Sequence, residues 1–108
     1  MKELIKNITE IYSPSGREDK VREFIINEIK DYVDDIKIDK LGNLIAIKKG
    51  QSDKTILFDG HMDEIGLVVT HITETGFLKV DAVGGVNPTI LLGTRLQFNG
   101  VTGVAGVE

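Results

Sequence analysis

A chain of 108 residues is long enough for one ordinary domain and too short for two full-sized ones. With 41% hydrophobic and 28% charged residues it has the composition of a folded globular protein, which excludes global disorder. Seventeen acidic residues against thirteen basic ones give a mild net charge of −4 with no basic stripe, so nucleic acid is excluded as a first choice of partner.

Residues 2–12 open the chain. Leu4, Ile5, Ile8, Ile11 and Tyr12 recur at helical spacing, predicting a short amphipathic helix. The same stretch lacks the continuous apolar core of a signal peptide, and no run in the chain approaches membrane-spanning length. No membrane partner is expected, and the location expected is cytoplasmic. The absence of cysteine agrees with that and removes disulfides, thiolate metal sites and thiol nucleophiles together.

Ser13-Pro14-Ser15-Gly16 breaks the first helix. Ser15, with Glu18 three residues on, has the form of a capping box. The helix it would start places Val21, Phe24, Ile25, Ile29 and Tyr32 on one side. Arg22, Glu23, Asn27 and Lys30 fall on the other, expected to be solvated. Asp31, Asp34 and Asp35 then cluster, but without the ligand spacing and glycine of a calcium loop they read as a solvated helix end.

Ile36 to Asp39 and Leu44 to Ile47 alternate around Leu41-Gly42-Asn43, predicting an edge hairpin. Gly50 to Asp53 is a loop. Thr55-Ile56-Leu57-Phe58 is short, continuous and apolar, as expected of a strand covered on both faces. Helices followed by such a strand predict an α/β layer architecture.

Beyond Gly66 the pattern becomes all-β. Strands are expected at Leu67–Thr70 and Phe77–Val80 around a Glu74-Thr75-Gly76 turn, and again from Leu96-Gln97-Phe98 through Asn99-Gly100 into Val101–Val107. A turn near Ile90-Leu91-Leu92 is the one helical feature expected there. The glycines around Gly84 and Gly103 lack the strand-to-helix setting of a phosphate loop and read as turns. Two segments follow, 1–66 and 67–108. The second, with about three strands, is too small to be stable alone, and the chain is expected to be the front of a longer protein.

The candidate chemistry lies after Phe58. In an extended segment Asp59, His61 and Asp63 share a face, and ligands of α/β sheets gather beyond the carboxyl ends of strands. Neutral imidazole suits zinc, cobalt or manganese. A carboxylate two residues away can fix its tautomer and raise its basicity. The competing reading is a surface-loop histidine. Glu64 reads as a loop-end or supporting carboxylate, Asp59 as a turn-closing one, and His71 as a strand or surface histidine, since a lone imidazole does not make a site.

Asp59-Gly60-His61-Met62-Asp63-Glu64-Ile65-Gly66 resembles the first metal motif of the M42 family of metallo-aminopeptidases, which includes glutamyl aminopeptidases and the tetrahedral TET peptidases. Some of its relatives carry an endoglucanase label. Ser13-Pro14-Ser15-Gly16-Arg17-Glu18 with Val21-Arg22 resembles the family's opening loop and helix. Asp39-Lys40-Leu41-Gly42-Asn43-Leu44 resembles its hairpin, and Gly84-Gly85 through Gly93 the approach to its inserted domain.

The resemblance implies a zinc-peptidase-like α/β catalytic domain beginning at residues 1–66. An inserted all-β domain, PDZ-like or barrel-like, would begin at 67–108 and mediate oligomer contacts. His61 would bind one ion of a two-metal centre holding zinc, cobalt or manganese, and Asp63 would be the catalytic-site carboxylate supporting it. The family's bridging Asp, general-base Glu, further carboxylates and last His have no counterpart in these 108 residues, so this chain alone is expected to be inactive. The whole protein would act on peptide substrates as a homo-oligomer, dimer-based and up to a dodecamer.

Two other readings compete. A glycosidase needs two carboxylates about 5 to 9.5 Å apart, usually with aromatic platforms, and the chain has two Tyr, four Phe and no Trp. A non-catalytic assembly module would need only an exposed β edge.

Overall fold

The computed structural model describes residues 1–106. Its elements are α1 (Lys2–Thr9), α2 (Asp19–Ile29), β1 (Asp35–Ile38), β2 (Leu44–Ile47), β3 (Gly66–Ile72), β4 (Leu78–Val83), a 3-10 turn (Pro88–Ile90), β5 (Arg95–Phe98) and β6 (Val101–Val104). The fold therefore mixes helices and strands, as expected. The strands form three separate antiparallel pairs, β1–β2, β3–β4 and β5–β6. Two compact units divide the chain, Met1–Glu64 and a second beginning at Ile65.

In the first unit, α1 stops at Thr9, short of the predicted Tyr12. The Thr9 hydroxyl donates to the carbonyl oxygens of Ile5 (2.9 Å) and Lys6 (3.1 Å), which takes up acceptors at the end of the helix. The predicted capping box does not form. Arg17 N–H closes a turn onto Pro14 O at 2.8 Å, with Gly16 at φ +81, and this delays the helix to Asp19. Glu18 becomes the N-cap, and its carboxylate accepts from Gly16 N–H at 2.6 Å rather than sitting one turn inside a helix capped by Ser15.

On α2, Val21 is buried, and Phe24, Ile25 and Ile29 are partly so, as the periodicity predicts. Tyr32 is exposed. Arg22 departs from the expected solvated face: its side chain is 13% exposed, donates to Gly42 O at 2.8 Å and pairs with Asp19. The β1–β2 hairpin has the expected position, with Asp35 opposite Ile47 and Ile38 opposite Leu44. In the acidic cluster, Asp34 accepts from Lys49 N–H (2.6 Å) and Asp35 pairs with Lys37 (3.0 Å), both local structural contacts.

Thr55–Phe58 is not a strand. No strand among the described residues lies beside it, so its N–H and C=O groups have no ladder to enter. Ile56, Leu57 and Phe58 are exposed, the last at 90%, instead of covered on both faces.

In the second unit, β3 and β4 pair from Gly66↔Val83 to Ile72↔Leu78, with a bulge between Val69 and His71. Thr73 builds their turn: its N–H donates to Phe77 O, its O accepts from Gly76 N–H, and its hydroxyl accepts from Phe77 N–H. Asn87 accepts from Thr89 N–H at 3.0 Å and starts the Pro88–Ile90 turn, close to where a helical turn was expected. Asn99 and Gly100, both at positive φ, make the two-residue connection between β5 and β6 that the sequence signals. β6 ends at Val104; Val107, the expected strand end, lies outside the described residues.

Candidate metal centre

The 54–63 segment has no regular structure of its own, so what holds it is a matter of individual bonds. At its end Glu64 N–H donates to Ser13 O at 3.0 Å, and Ser13 N–H donates to the Glu64 carboxylate at 3.0 Å. Pro14 and Glu64 form an isolated parallel bridge at the same point. Ser13 is 3% exposed and its hydroxyl donates to Ile11 O at 3.2 Å. The Glu64 carboxylate is thus bonded to the main chain that follows α1.

His61 and Asp63 meet directly. His61 Nδ1 lies 3.0 Å from Asp63 Oδ1 and 2.9 Å from the Asp63 carbonyl oxygen. Both partners are acceptors, so Nδ1 carries a proton, and in the neutral ring this leaves the lone pair on Nε2. The His61 side chain is 86% exposed, which leaves Nε2 open to a ligand. A carboxylate bonded to the far nitrogen of an imidazole is the arrangement that orients a metal-binding histidine and raises its basicity.

An open cavity of about 260 Å³ borders the segment, walled by Ile8, Ile11, Val21 and Ile25 and reached by His61 through Glu64. Asp59 is exposed and makes no bond to His61 or Asp63. His71 lies in β3 opposite Lys79. Among the described residues no group of three or more His, Cys, Asp or Glu side chains could hold an ion. The His61–Asp63 pair therefore offers one imidazole nitrogen, where zinc takes three or four protein donors.

One contribution escaped sequence reading. The partner of Glu64 is the backbone N–H of Ser13, which carries no residue-type signal; only the break at Ser13-Pro14 marks the place.

A family model described as M42 glutamyl aminopeptidase matches residues 42–108. The chain belongs to this family of metal-dependent peptidases. It is similar to a curated protein of Acetivibrio thermocellus, 51% identical over 109 residues that cover all of this chain and 33% of that protein. It is also similar to the lysyl aminopeptidase of Pyrococcus furiosus, 43% identical over 97 residues, covering 89% of this chain and 28% of that enzyme. The chain thus spans about a third of the length of the curated relatives it matches.

Among solved structures it resembles one described as an endoglucanase of Thermotoga maritima. The TM-score is 0.88 at 43% identity, covering 95% of this chain and 33% of that one. It also resembles PhTET1-12s, described as a dodecamer, with a TM-score of 0.78 at 46% identity over 88% of this chain and 28% of that one. No helix among the described residues is long and apolar enough to cross a membrane.

Proposed function

We propose that this M42 chain is part of a metallo-aminopeptidase that removes N-terminal residues from peptides at a centre of two divalent ions. The observation that carries the reading is the Asp63–His61 bond, which presents Nε2 of an exposed imidazole within the stretch matched by the family model. His61 is the ligand to one ion, with zinc, cobalt and manganese all compatible with its chemistry. Asp63 is the catalytic-site carboxylate that keeps the proton on Nδ1. A bound divalent ion supplies Lewis acidity toward the scissile carbonyl; these two residues orient and sharpen the donor.

Residues 1–66 are read as belonging to the catalytic domain and 67–108 as the start of an inserted β domain that is PDZ-like or barrel-like. With one imidazole ligand in 108 residues, the chain by itself is inactive. A homo-oligomer in the cytoplasm is the assembly favoured, and the dodecameric description of one structural neighbour supports oligomer formation.

The test is hydrolysis of a panel of aminoacyl p-nitroanilides by the whole protein, before and after chelation and after return of zinc, cobalt or manganese. Activity that disappears on chelation, returns with metal and is lost in H61A is expected. Reducing-sugar release from cellulose without peptide hydrolysis would overturn the reading in favour of a glucanase, and peptide hydrolysis indifferent to chelation would remove the metal from it.

A further inference from the structure

We propose that Glu64 is a positioning residue for His61, acting through the main chain of Ser13 and not as a ligand to metal. The proposal rests on His61 being a ligand, as read above. Its own support is how the segment is attached. Among the described residues, the reciprocal bonds between Glu64 and Ser13, with the Pro14–Glu64 bridge at the same point, are what tie residues 55–64 to the helical part of the first unit by hydrogen bonds, since the segment lies in none of the three strand pairs and its other side-chain bonds run between His61 and Asp63.

The two bonds are reciprocal: Glu64 gives its N–H to Ser13 O and takes the Ser13 N–H on Oε1, each at 3.0 Å. They close a small ring that fixes Glu64 in both distance and direction. Ser13 is buried, and Pro14 after it has no N–H to offer in exchange. Without the Glu64 oxygen the Ser13 N–H would be a buried donor with no partner, a strongly disfavoured state. The ring is therefore maintained by burial as well as by its own bonds.

From that anchor the order runs backward through neighbouring residues. Glu64 is fixed on Ser13, Asp63 is its chain neighbour, and Asp63 holds Nδ1 of His61 through both its carboxylate and its carbonyl oxygen. Freed at Glu64, the Asp63–His61 pair would survive as a local contact but lose its place relative to the helices. A ligand set drawn from several elements depends on that placement. The bond at Oε1 needs an acceptor oxygen and no charge, so an amide of the same length can replace the carboxylate.

The experiment uses the whole protein with E64A, E64Q, E64D and H61A. Zinc affinity is measured by competition with a chromophoric chelator, and the exchange rate of the Ser13 amide is measured in metal-free protein. E64A is expected to weaken zinc binding about 10-fold and to speed Ser13 exchange about as much, the scale usual for loss of a group that orients a ligand. E64Q, which keeps the oxygen at the same reach, is expected to restore both, whereas E64D, which keeps charge and loses reach, is not.

Zinc affinity unchanged in E64A, or better preserved in E64D than in E64Q, overturns the proposal, the latter because charge would then matter more than position. If E64A does not fold, the E64Q–E64D comparison decides alone. H61A separates the two readings. Unchanged zinc affinity in H61A removes the ligand reading itself, whereas a weakened H61A beside a wild-type E64A removes the positioning role and leaves the ligand reading intact.

Discussion

Arg22 Nη1 donates to the carbonyl oxygen of Gly42 at 2.8 Å, joining the middle of α2 to the turn of the β1–β2 hairpin. The other arm of the guanidinium pairs with Asp19, so one planar group spans a helix and a turn. Gly42 suits this approach for two reasons. Its φ is +89, a region that side chains disfavour, and a Cβ built there would lie 2.9 Å from Arg22 Nη1. G42A is expected to lower stability by about 2 kcal/mol, from left-handed strain and displacement of the guanidinium together. R22K, whose single ammonium cannot serve both partners in the same geometry, is expected to cost about 1 kcal/mol. Denaturant unfolding of the whole protein measures both, and a G42A protein as stable as the parent would refute the account.

The same turn carries a titration signal. Asp39 accepts from the Asn43 side chain (2.8 Å) and from the N–H groups of Asn43 and Leu41 (2.9 Å each). These bonds, the Asn43 side chain first, hold its carboxyl below the ordinary value of 3.8, with a smaller opposing push from desolvation. The folded value is thus the lower one. The stabilisation is fully present above pH 3.8 and is lost as pH falls through the folded value. N43A is expected to move the Asp39 carboxyl back up toward 3.8, read by NMR titration of its side-chain carbon. No upward movement would show that the backbone N–H groups suffice.

Val21 is 3% exposed and is the buried hydrophobic side chain among the described residues. It lines the cavity that His61 to Glu64 also border. V21A removes two carbons from a packed position and is expected to cost about 2 kcal/mol. Ile5, 55% exposed on α1, serves as the comparison, where truncation to Ala is expected to cost well under half as much. Equal losses at the two positions would mean that Val21 is not a packing centre. Thermal or denaturant midpoints of the whole protein decide it.

What could be read in advance divides by range. The hairpins at Asp35–Ile47 and Arg95–Val104, the β3–β4 pair and the inward face of α2 follow from alternation, helical period and turn residues within a few positions of one another, and all four are present. Thr55–Phe58 shows where this stops. Its composition suits a buried strand, but a strand exists only with neighbours, and none lies beside it here. The start of α2 failed for a closer reason: Ser15 and Glu18 have cap spacing, and a Pro14–Arg17 turn with Gly16 at positive φ took the position first. In the candidate site, the contact between His61 and Asp63 was legible because the two residues lie only two positions apart. The clamp at Ser13 was not, because it is 51 positions away and one of its two partners is backbone.

The Asp63–His61 contact gives a graded prediction. On the proposed reading, the Asp63 carboxylate bonded to Nδ1 orients the ring so that Nε2 meets the ion. D63N keeps an oxygen that can accept from Nδ1 but removes the charge, so the orientation is retained by a weaker bond. D63A leaves the carbonyl oxygen of residue 63 as the remaining acceptor, since that contact at 2.9 Å is main chain. Zinc affinity is therefore expected to fall about 10-fold in D63N and up to about 100-fold in D63A. H61A, which removes the donor itself, should fall further than either. The chelator competition that measures this also gives the ordering, and D63A binding zinc as tightly as the parent would assign Asp63 to the loop and not to the metal.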